Sequence, residues 1–204
     1  MQNSVRKICT IAVFTALMCC IAPISIPLVP VAITFATLMV YLISAIFSWK
    51  IAPVIICLYI LLGCLGLPVF SNFSSGPAVL FGPTGGYIFG YILAAIVESV
   101  LLTRFKNKKW MFPVAMIAAT AVIYLFGSVW FMIYMNGKYT VAKMLMVCVV
   151  PFLLGDSLKI VVASVIGIRL RKLFDSKLDP APQPESIAVI EPKKVGNSSI
   201  APKE

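Results

Sequence analysis

Long uncharged runs of apolar residues dominate the chain. The first run covers residues 8–49, the second covers 51–97 and the third covers 110–137. A membrane-spanning helix needs about 20 apolar residues, so the runs have room for two, two to three and one spans. Prolines and glycines divide them, because proline breaks a helix interior. The pattern predicts an all-α protein that crosses a membrane several times.

Six spans follow from these divisions. They are expected at about residues 5–22, 31–47, 51–66, 85–104, 111–135 and 152–172. Pro23, Pro27 and Pro30 separate the first two spans. A shorter apolar segment, residues 141–150, precedes Pro151 and is predicted to be a partial or re-entrant helix.

The stretch between the third and fourth spans, residues 67–84, has a different character. It is uncharged, rich in Gly, Ser and Pro, too apolar for an ordinary solvent loop and too broken for a helix. Irregular backbone near a membrane survives where protein or a water-lined cavity surrounds it. We expect an external lid or pocket wall. Asn72 supplies its only side-chain amide, which is suited either to a ligand or to the loop's own backbone.

Composition supports the assignment to a membrane. Apolar residues make up 61% of the 204 residues, charged residues make up only 12%, and the mean hydropathy is +1.02. Soluble domains carry about 25% charged residues. The net charge of +10 comes without a basic stripe interleaved with aromatics, so nucleic acid is not an expected partner.

The basic residues predict the topology of the six spans. Eleven fall on one side, against Lys138 and Lys143 on the other. The positive-inside rule then places both termini in the cytoplasm, in agreement with an even number of spans. The eleven residues are Arg6, Lys7, Lys50, Arg104, Lys106, Lys108, Lys109, Arg169, Arg171, Lys172 and Lys177. Residues 1–174 form the predicted transmembrane domain. Residues 175–204, with five prolines, form a predicted disordered cytoplasmic tail.

Asp156 and Lys159 form the main candidate for chemistry. They are three residues apart within a span, so a helix places them on one face. Ionisable groups inside a membrane are costly and usually face a cavity, a partner or a substrate. A self-neutralising pair is the alternative. The pair suits a small ligand with an acid at one end and amide-like N–H groups at the other.

Other polar and small residues carry weaker predictions. Glu98 lies deep in the fourth span and is expected to be structural, paired with Arg104 or a helix end. Ala12 and Ala16 in the first span, extended by Cys20, form a row of small residues for internal packing or for a membrane partner.

The chain has few means for enzymatic chemistry. It lacks histidine, and its six cysteines lie singly or adjacent in apolar runs, so neither a metal site nor a bound cofactor is expected. It has no nucleophile–base pair, no carboxylate dyad and no ATP-binding loop. The sequence therefore predicts a protein that binds a solute and is not an enzyme.

Two motifs resemble those of the BioY family, the biotin-binding S components of energy-coupling-factor transporters. They are Gly82-Pro-Thr-Gly-Gly-Tyr87, followed by a span, and Pro151-Phe-Leu-Leu-Gly-Asp156-Ser-Leu-Lys159, opening the last span. The resemblance covers about residues 5–172. Leu154 departs from a proline that is frequent in the family, which affects loop stiffness and leaves the polar pair intact.

The resemblance implies six helices around an external biotin pocket in a multi-pass protein of a prokaryotic cell membrane. Asn72 and Asp156 would meet the ureido ring, Lys159 would fix or attract the carboxylate, and Tyr87 is a further substrate-binding candidate. Ala12 and Ala16 would dock on a transmembrane coupling subunit that bridges to two cytoplasmic ATPases. An S component for another vitamin and a solitary biotin transporter without an ATPase remain the alternatives.

Overall fold

The protein is a bundle of helices with one small β-hairpin. The computed structural model describes residues 2–26, 33–105, 108–136 and 150–175. The elements in chain order are α1 (Gln2–Ile21), β1 (Ser25–Ile26), β2 (Ile33–Thr34), α2 (Ala36–Ile46), α3 (Ala52–Cys64), a 3-10 turn (Ser71–Phe73), α4 (Pro77–Leu80), α5 (Gly85–Arg104), α6 (Met111–Tyr134) and α7 (Val150–Asp175).

Five of the six predicted spans correspond to helices whose ends lie within a few residues of the expected positions. These are α1, α3, α5, α6 and α7. The predicted partial helix, except for Val150, lies outside the described residues, as do Pro27, Pro30, Lys106, Lys138, Lys143 and Cys148. Of the predicted tail, only Asp175 is described, and it ends α7.

The predicted start of the second span is wrong. Residues 33 and 34 form β2, which pairs antiparallel with β1, and α2 begins only at Ala36. The Phe35 N–H donates to the Ile24 carbonyl oxygen at 3.0 Å and closes the hairpin. Pro23 prevents α1 from continuing, and the β-branched residues beyond it favour extended backbone.

Helices α5 and α6 form the most extensive contact of the bundle. Gly86 allows the close approach, because a Cβ there would overlap the Cβ of Trp130 and the backbone of Phe126. Gly127 does the same from α6, since a Cβ would overlap the ring of Tyr87. Small residues at such crossings allow helix backbones to approach closely within membranes.

Helix α2 lies in the middle of the bundle. Nine of its eleven residues are buried, and it packs on α7 and α5. Its polar residues Thr37, Tyr41 and Ser44 follow a spacing of four and three, so they occupy one side of the helix. This central helix contributes hydroxyl groups to the interior of the bundle.

Two helices of the described part, α5 and α6, are long and apolar enough to cross a membrane. The apolar helices α2 and α3 have 11 and 13 residues, which is shorter than a bilayer core requires. The loop at residues 67–84 is irregular as predicted, apart from the 3-10 turn and the single turn of α4.

Candidate substrate-binding site

Asp156 and Lys159 form an ion pair in the interior. The Lys159 Nζ lies 2.8 Å from the Asp156 Oδ1, one turn along α7. The residues are 3% and 8% exposed. The spacing prediction of a shared helix face is confirmed. Buried pairs of this kind need further hydrogen bonds to offset the loss of hydration.

Lys159 has all three of its donors engaged. Besides Asp156, Nζ donates to the backbone carbonyl of Thr34 at 2.8 Å and to the Thr37 hydroxyl at 3.0 Å. An ammonium group has three N–H bonds, so this set completes its hydrogen bonding. The bond to Thr34 is possible because α2 begins only after this residue. Thr34 lies in β2, and its carbonyl is directed to α7.

Asp156 receives hydrogen bonds on both oxygens. Oδ2 accepts from the Tyr124 hydroxyl at 2.7 Å, and Oδ1 accepts from the Thr37 hydroxyl at 3.3 Å in addition to Lys159. Sequence reasoning missed Thr37 and Tyr124. The spaced hydroxyls on α2 were the available signal for Thr37, whereas nothing near Tyr124 in the sequence singles it out.

The ion pair forms part of the wall of a cavity between the hairpin, the 67–84 loop and the five helices α2, α3, α5, α6 and α7. Its free volume is about 40 Å³, which holds a few water molecules. Aromatic rings make up much of the wall, and they include Tyr87, which the family resemblance gives as a further substrate-binding candidate. The lining residues are Thr34, Ala36, Thr37, Tyr59, Phe70, Ser71, Thr84, Tyr87, Ile88, Tyr91, Ile123, Tyr124, Phe152, Asp156 and Lys159.

Asn72 lies apart from the ion pair. It is exposed and lines a neighbouring surface groove, which shares Ser71 and Thr84 with the cavity. Its side-chain Oδ1 accepts a hydrogen bond from the Ser25 hydroxyl at 2.9 Å. The structure thus brings together Asp156, Lys159 and Tyr87, and it places Asn72 next to this group.

Glu98 is a buried acid outside the cavity. It is 0% exposed, and neither of its carboxylate oxygens has a hydrogen-bond partner within the described part of the chain. The expected pairing with Arg104 is wrong. Six residues along a helix turn the two side chains to different faces, and Arg104 is exposed.

Ala12 and Ala16 are exposed on α1, on a face that the bundle leaves open. Among the described residues, Cys9, Cys19, Cys20, Cys57 and Cys64 are free thiols, and no group of three or more Cys, Asp or Glu residues is arranged to hold a metal.

Comparison with known proteins agrees with the resemblance in the motifs. The family model described as "BioY family" matches residues 1–176. A biotin transporter BioY of Thermotoga maritima is 39% identical over 168 residues, covering 82% of this chain and 97% of that protein. A biotin transporter BioY2 of Lactococcus lactis subsp. cremoris is 29% identical over 171 residues, covering 83% and 93%, respectively.

A solved structure shares the fold. The crystal structure of the S-component for biotin from an ECF-type ABC transporter superimposes with a TM-score of 0.77 at 21% identity, covering 87% of this chain and 97% of that one. The family match extends from the N-terminus through α7 and includes the motifs that carry Tyr87, Asp156 and Lys159. The chain belongs to the BioY family.

Proposed function

We propose that the protein is the biotin-binding S component of an ATP-driven vitamin importer. It captures external biotin and delivers it inward together with a transmembrane coupling subunit and two cytoplasmic ATPases. The observation that carries the proposal is the buried ion pair of Asp156 and Lys159 in the wall of an aromatic cavity, in a chain of the BioY family. The protein acts by binding and movement, and it is not an enzyme.

The proposed arrangement in the membrane has six spans, both termini in the cytoplasm and the 67–84 loop outside. The basic residues described near the ends of α1, α5 and α7 support this orientation. Helix α2 is too short to cross the bilayer by itself, so in this arrangement the hairpin and the 67–84 loop complete the outer part of the bundle. Irregular backbone at membrane depth is tolerated where protein surrounds it.

In the proposed site, Asp156 accepts a hydrogen bond from a ureido N–H of biotin. One acceptor position on Oδ2 remains beside the bond from Tyr124, because a carboxylate oxygen accepts about two hydrogen bonds. The apolar and aromatic wall suits the fused rings and the aliphatic chain of the ligand. Tyr87 contributes to this wall.

The role of Lys159 depends on whether the ion pair persists when biotin binds. The carboxylate and the ureido ring lie at opposite ends of biotin, whereas Nζ and Oδ1 are only 2.8 Å apart. Binding of the carboxylate, as the sequence predicts, therefore requires Nζ to leave Asp156. If the pair stays intact, Nζ binds the ureido carbonyl, beside the N–H that Asp156 binds, by releasing the Thr34 carbonyl or the Thr37 hydroxyl.

The test is equilibrium dialysis of labelled biotin with the purified full chain in detergent. We expect tight binding that falls by at least about 10-fold in Asp156→Asn, because hydrogen bonds to charged groups contribute about 1.5–3 kcal/mol. Lys172→Ala, an exposed lysine near the end of α7, is the matched control and should bind normally. A folded wild-type protein that does not bind biotin would overturn the proposal, and competition with other vitamins would then identify the ligand.

Lys159→Ala separates the two roles of this lysine. If Nζ binds the carboxylate, the variant loses much more affinity for biotin than for biotin amide, which lacks the negative charge. Equal losses for both ligands reject the carboxylate role and assign Nζ to the ureido end. Because Lys159→Ala leaves Asp156 unpaired, Asp156→Asn/Lys159→Met serves as the folded reference without a buried net charge.

An uptake assay in cells distinguishes the ATP-driven importer from the alternative, a solitary biotin transporter without an ATPase. Uptake of labelled biotin by cells that express this chain without a coupling subunit or its ATPases should stay at the background level. Uptake that appears on co-expression supports the ATP-driven importer, and equal uptake in both strains contradicts it.

A further inference from the structure

Ser25 and Asn72 are joined by two hydrogen bonds, here called the Ser25 clasp. The Asn72 N–H donates to the Ser25 Oγ at 2.9 Å, and the Ser25 hydroxyl donates back to the Asn72 Oδ1 at 2.9 Å. The Asn72 N–H also lies 3.2 Å from the Pro23 carbonyl oxygen. The clasp thus connects the segment after α1 to the 67–84 loop, across 47 residues of sequence.

The backbone that the clasp holds is strained. Asn72 and Phe73 have φ angles of 55° and 57°, in the left-handed region. Asparagine tolerates this region, whereas a bulky residue such as phenylalanine adopts it only where its surroundings enforce it. The Phe73 side chain is 65% exposed, so packing of its ring does little to fix the turn. The hydrogen bonds at Asn72 and those that Ser74 makes within the turn supply the constraint.

The strained turn continues directly into the cavity wall. Phe70 and Ser71 line the cavity. The Phe70 N–H donates to the Ser74 carbonyl oxygen at 3.0 Å, and the Ser74 hydroxyl donates to the Ser71 carbonyl oxygen at 2.7 Å, so residues 70–74 form one closed loop.

The other side of this loop rests on α3. The Phe70 ring meets the Tyr59 ring edge-on with centroids 5.7 Å apart, and it fills the space above Gly63. The Tyr59 hydroxyl donates to the Val69 carbonyl oxygen at 3.1 Å. The loop is therefore fixed by α3 on one side and by the Ser25 clasp on the other.

We propose that Ser25 is a positioning residue for substrate binding, which acts through Asn72 to hold Phe70 and Ser71 in the cavity wall. The inference rests on the proposed function. It gives Asn72 a role in shaping the site, in place of or in addition to the ureido contact predicted from the sequence. Without the clasp, the strained turn relaxes and the wall at Phe70 and Ser71 loses its fixed position, so bound biotin dissociates faster.

The first measurement compares Ser25→Ala with Ser25→Thr and the wild type in the full-length protein. Equilibrium dialysis gives the Kd for biotin, and a chase of labelled biotin with unlabelled biotin gives the dissociation rate. We expect Ser25→Ala to raise both by about 5- to 10-fold, the effect of a lost hydrogen bond. Ser25→Thr keeps the hydroxyl and should restore near-normal values. Thr103→Ala, which removes an exposed hydroxyl bonded within α5, is the matched control.

A double-mutant cycle with Asn72→Ala identifies the path of the effect. If Ser25 acts through Asn72, Ser25→Ala weakens binding less in the Asn72→Ala variant than in the wild type, because that variant keeps only the backbone N–H bond to the Ser25 Oγ. Equal further losses in the two backgrounds would show independent roles and overturn the proposal. This holds whether or not Asn72 also contacts biotin, because the cycle measures only the change at residue 25.

Thermal unfolding in detergent separates positioning from general stability. A loss of affinity in Ser25→Ala at an unchanged unfolding midpoint supports the positioning role, as does rescue by Ser25→Thr. A folded Ser25→Ala protein with wild-type Kd and dissociation rate overturns it. A wild-type protein that fails to bind biotin overturns the proposed function instead, so the two failures are distinguishable.

Discussion

Tyr124 fixes the one oxygen of Asp156 that the ion pair does not hold. Its hydroxyl lies 2.7 Å from Oδ2, and both residues line the cavity. Without this bond the carboxylate is free to rotate about its side-chain torsions and loses part of its alignment to a ligand N–H. Hydrogen bonds to charged groups contribute about 1.5–3 kcal/mol, roughly twice the neutral value.

We therefore expect Tyr124→Phe to weaken biotin binding by about 10-fold or more while the aromatic ring keeps its place. Tyr134→Phe, at the exposed end of the same helix, is the matched control. The measurement is the Kd for labelled biotin on the purified protein. Unchanged affinity in Tyr124→Phe would show that the hydroxyl does not contribute to the bound state.

At the residue scale, the sequence predicted charges better than it predicted their partners. Asp156 and Lys159 stood out because ionisable groups are rare within spans and three residues place them together on a helix. Thr37 and Tyr124 reach the same site from positions 119 and 32 residues away from Asp156. Which helix faces meet is decided by tertiary packing, and a single sequence does not encode that packing in any local pattern.

Among the elements, the pair α5 and α6 depends most on small residues. Gly86 lies against Trp130 of α6, and a methyl group at this position would come within 2.8 Å of the Phe126 backbone oxygen as well. Backbone atoms cannot move aside as the end of a flexible side chain can. The two helices would have to separate, and Tyr87, which packs over Gly127, would shift with them.

We expect Gly86→Ala to lower the thermal unfolding midpoint in detergent, with a destabilisation of about 1–3 kcal/mol from overpacking. Gly155→Ala in α7 provides the contrast, since among the described residues its new methyl would meet Ile33 alone, at an ordinary 3.6 Å. That variant should be neutral or slightly stabilising, because alanine favours a helix over glycine. A Gly86→Ala protein as stable as the wild type would contradict the close α5–α6 contact.

Helix ends were largely predictable, and the hairpin was not. Proline and glycine mark the borders of α3 and α5 directly in the sequence. Strands of two residues are too short to show an alternating pattern, and pairing of Ser25 with Thr34 is a non-local event. The apolar residues around β2 therefore resemble the start of a span. Because α2 begins later than the sequence predicts, the Thr34 carbonyl is available to Lys159.

For the whole molecule, the wall of the cavity combines packed helices with irregular segments. The space free for water is about 40 Å³, and the cavity shares Ser71 and Thr84 with the neighbouring surface groove. The hairpin and the 67–84 loop are the irregular parts of that wall, and the helices around them are packed through their own side chains.

The exposed face of α1 is the surface that we propose for docking on the coupling subunit. Ala12 and Ala16 are one helical turn apart, and both are exposed although the residues between them include buried Thr15. An exposed row of small side chains lets the backbone of another helix approach closely. The face lies away from the residues that line the cavity, so docking and biotin binding are separable by mutation.

We expect Ala12→Trp/Ala16→Trp to abolish co-purification with the coupling subunit and to leave the Kd for biotin unchanged. Two indole rings on this face hold a partner helix away sterically, and neither side chain reaches the cavity. Leu125→Trp/Val129→Trp is the matched control, because these positions are also exposed and four residues apart, but on α6. Assembly that survives in the α1 variant would assign docking to another face. Assembly that is lost equally in the α6 control would show that added bulk, and not its position, disrupts the complex.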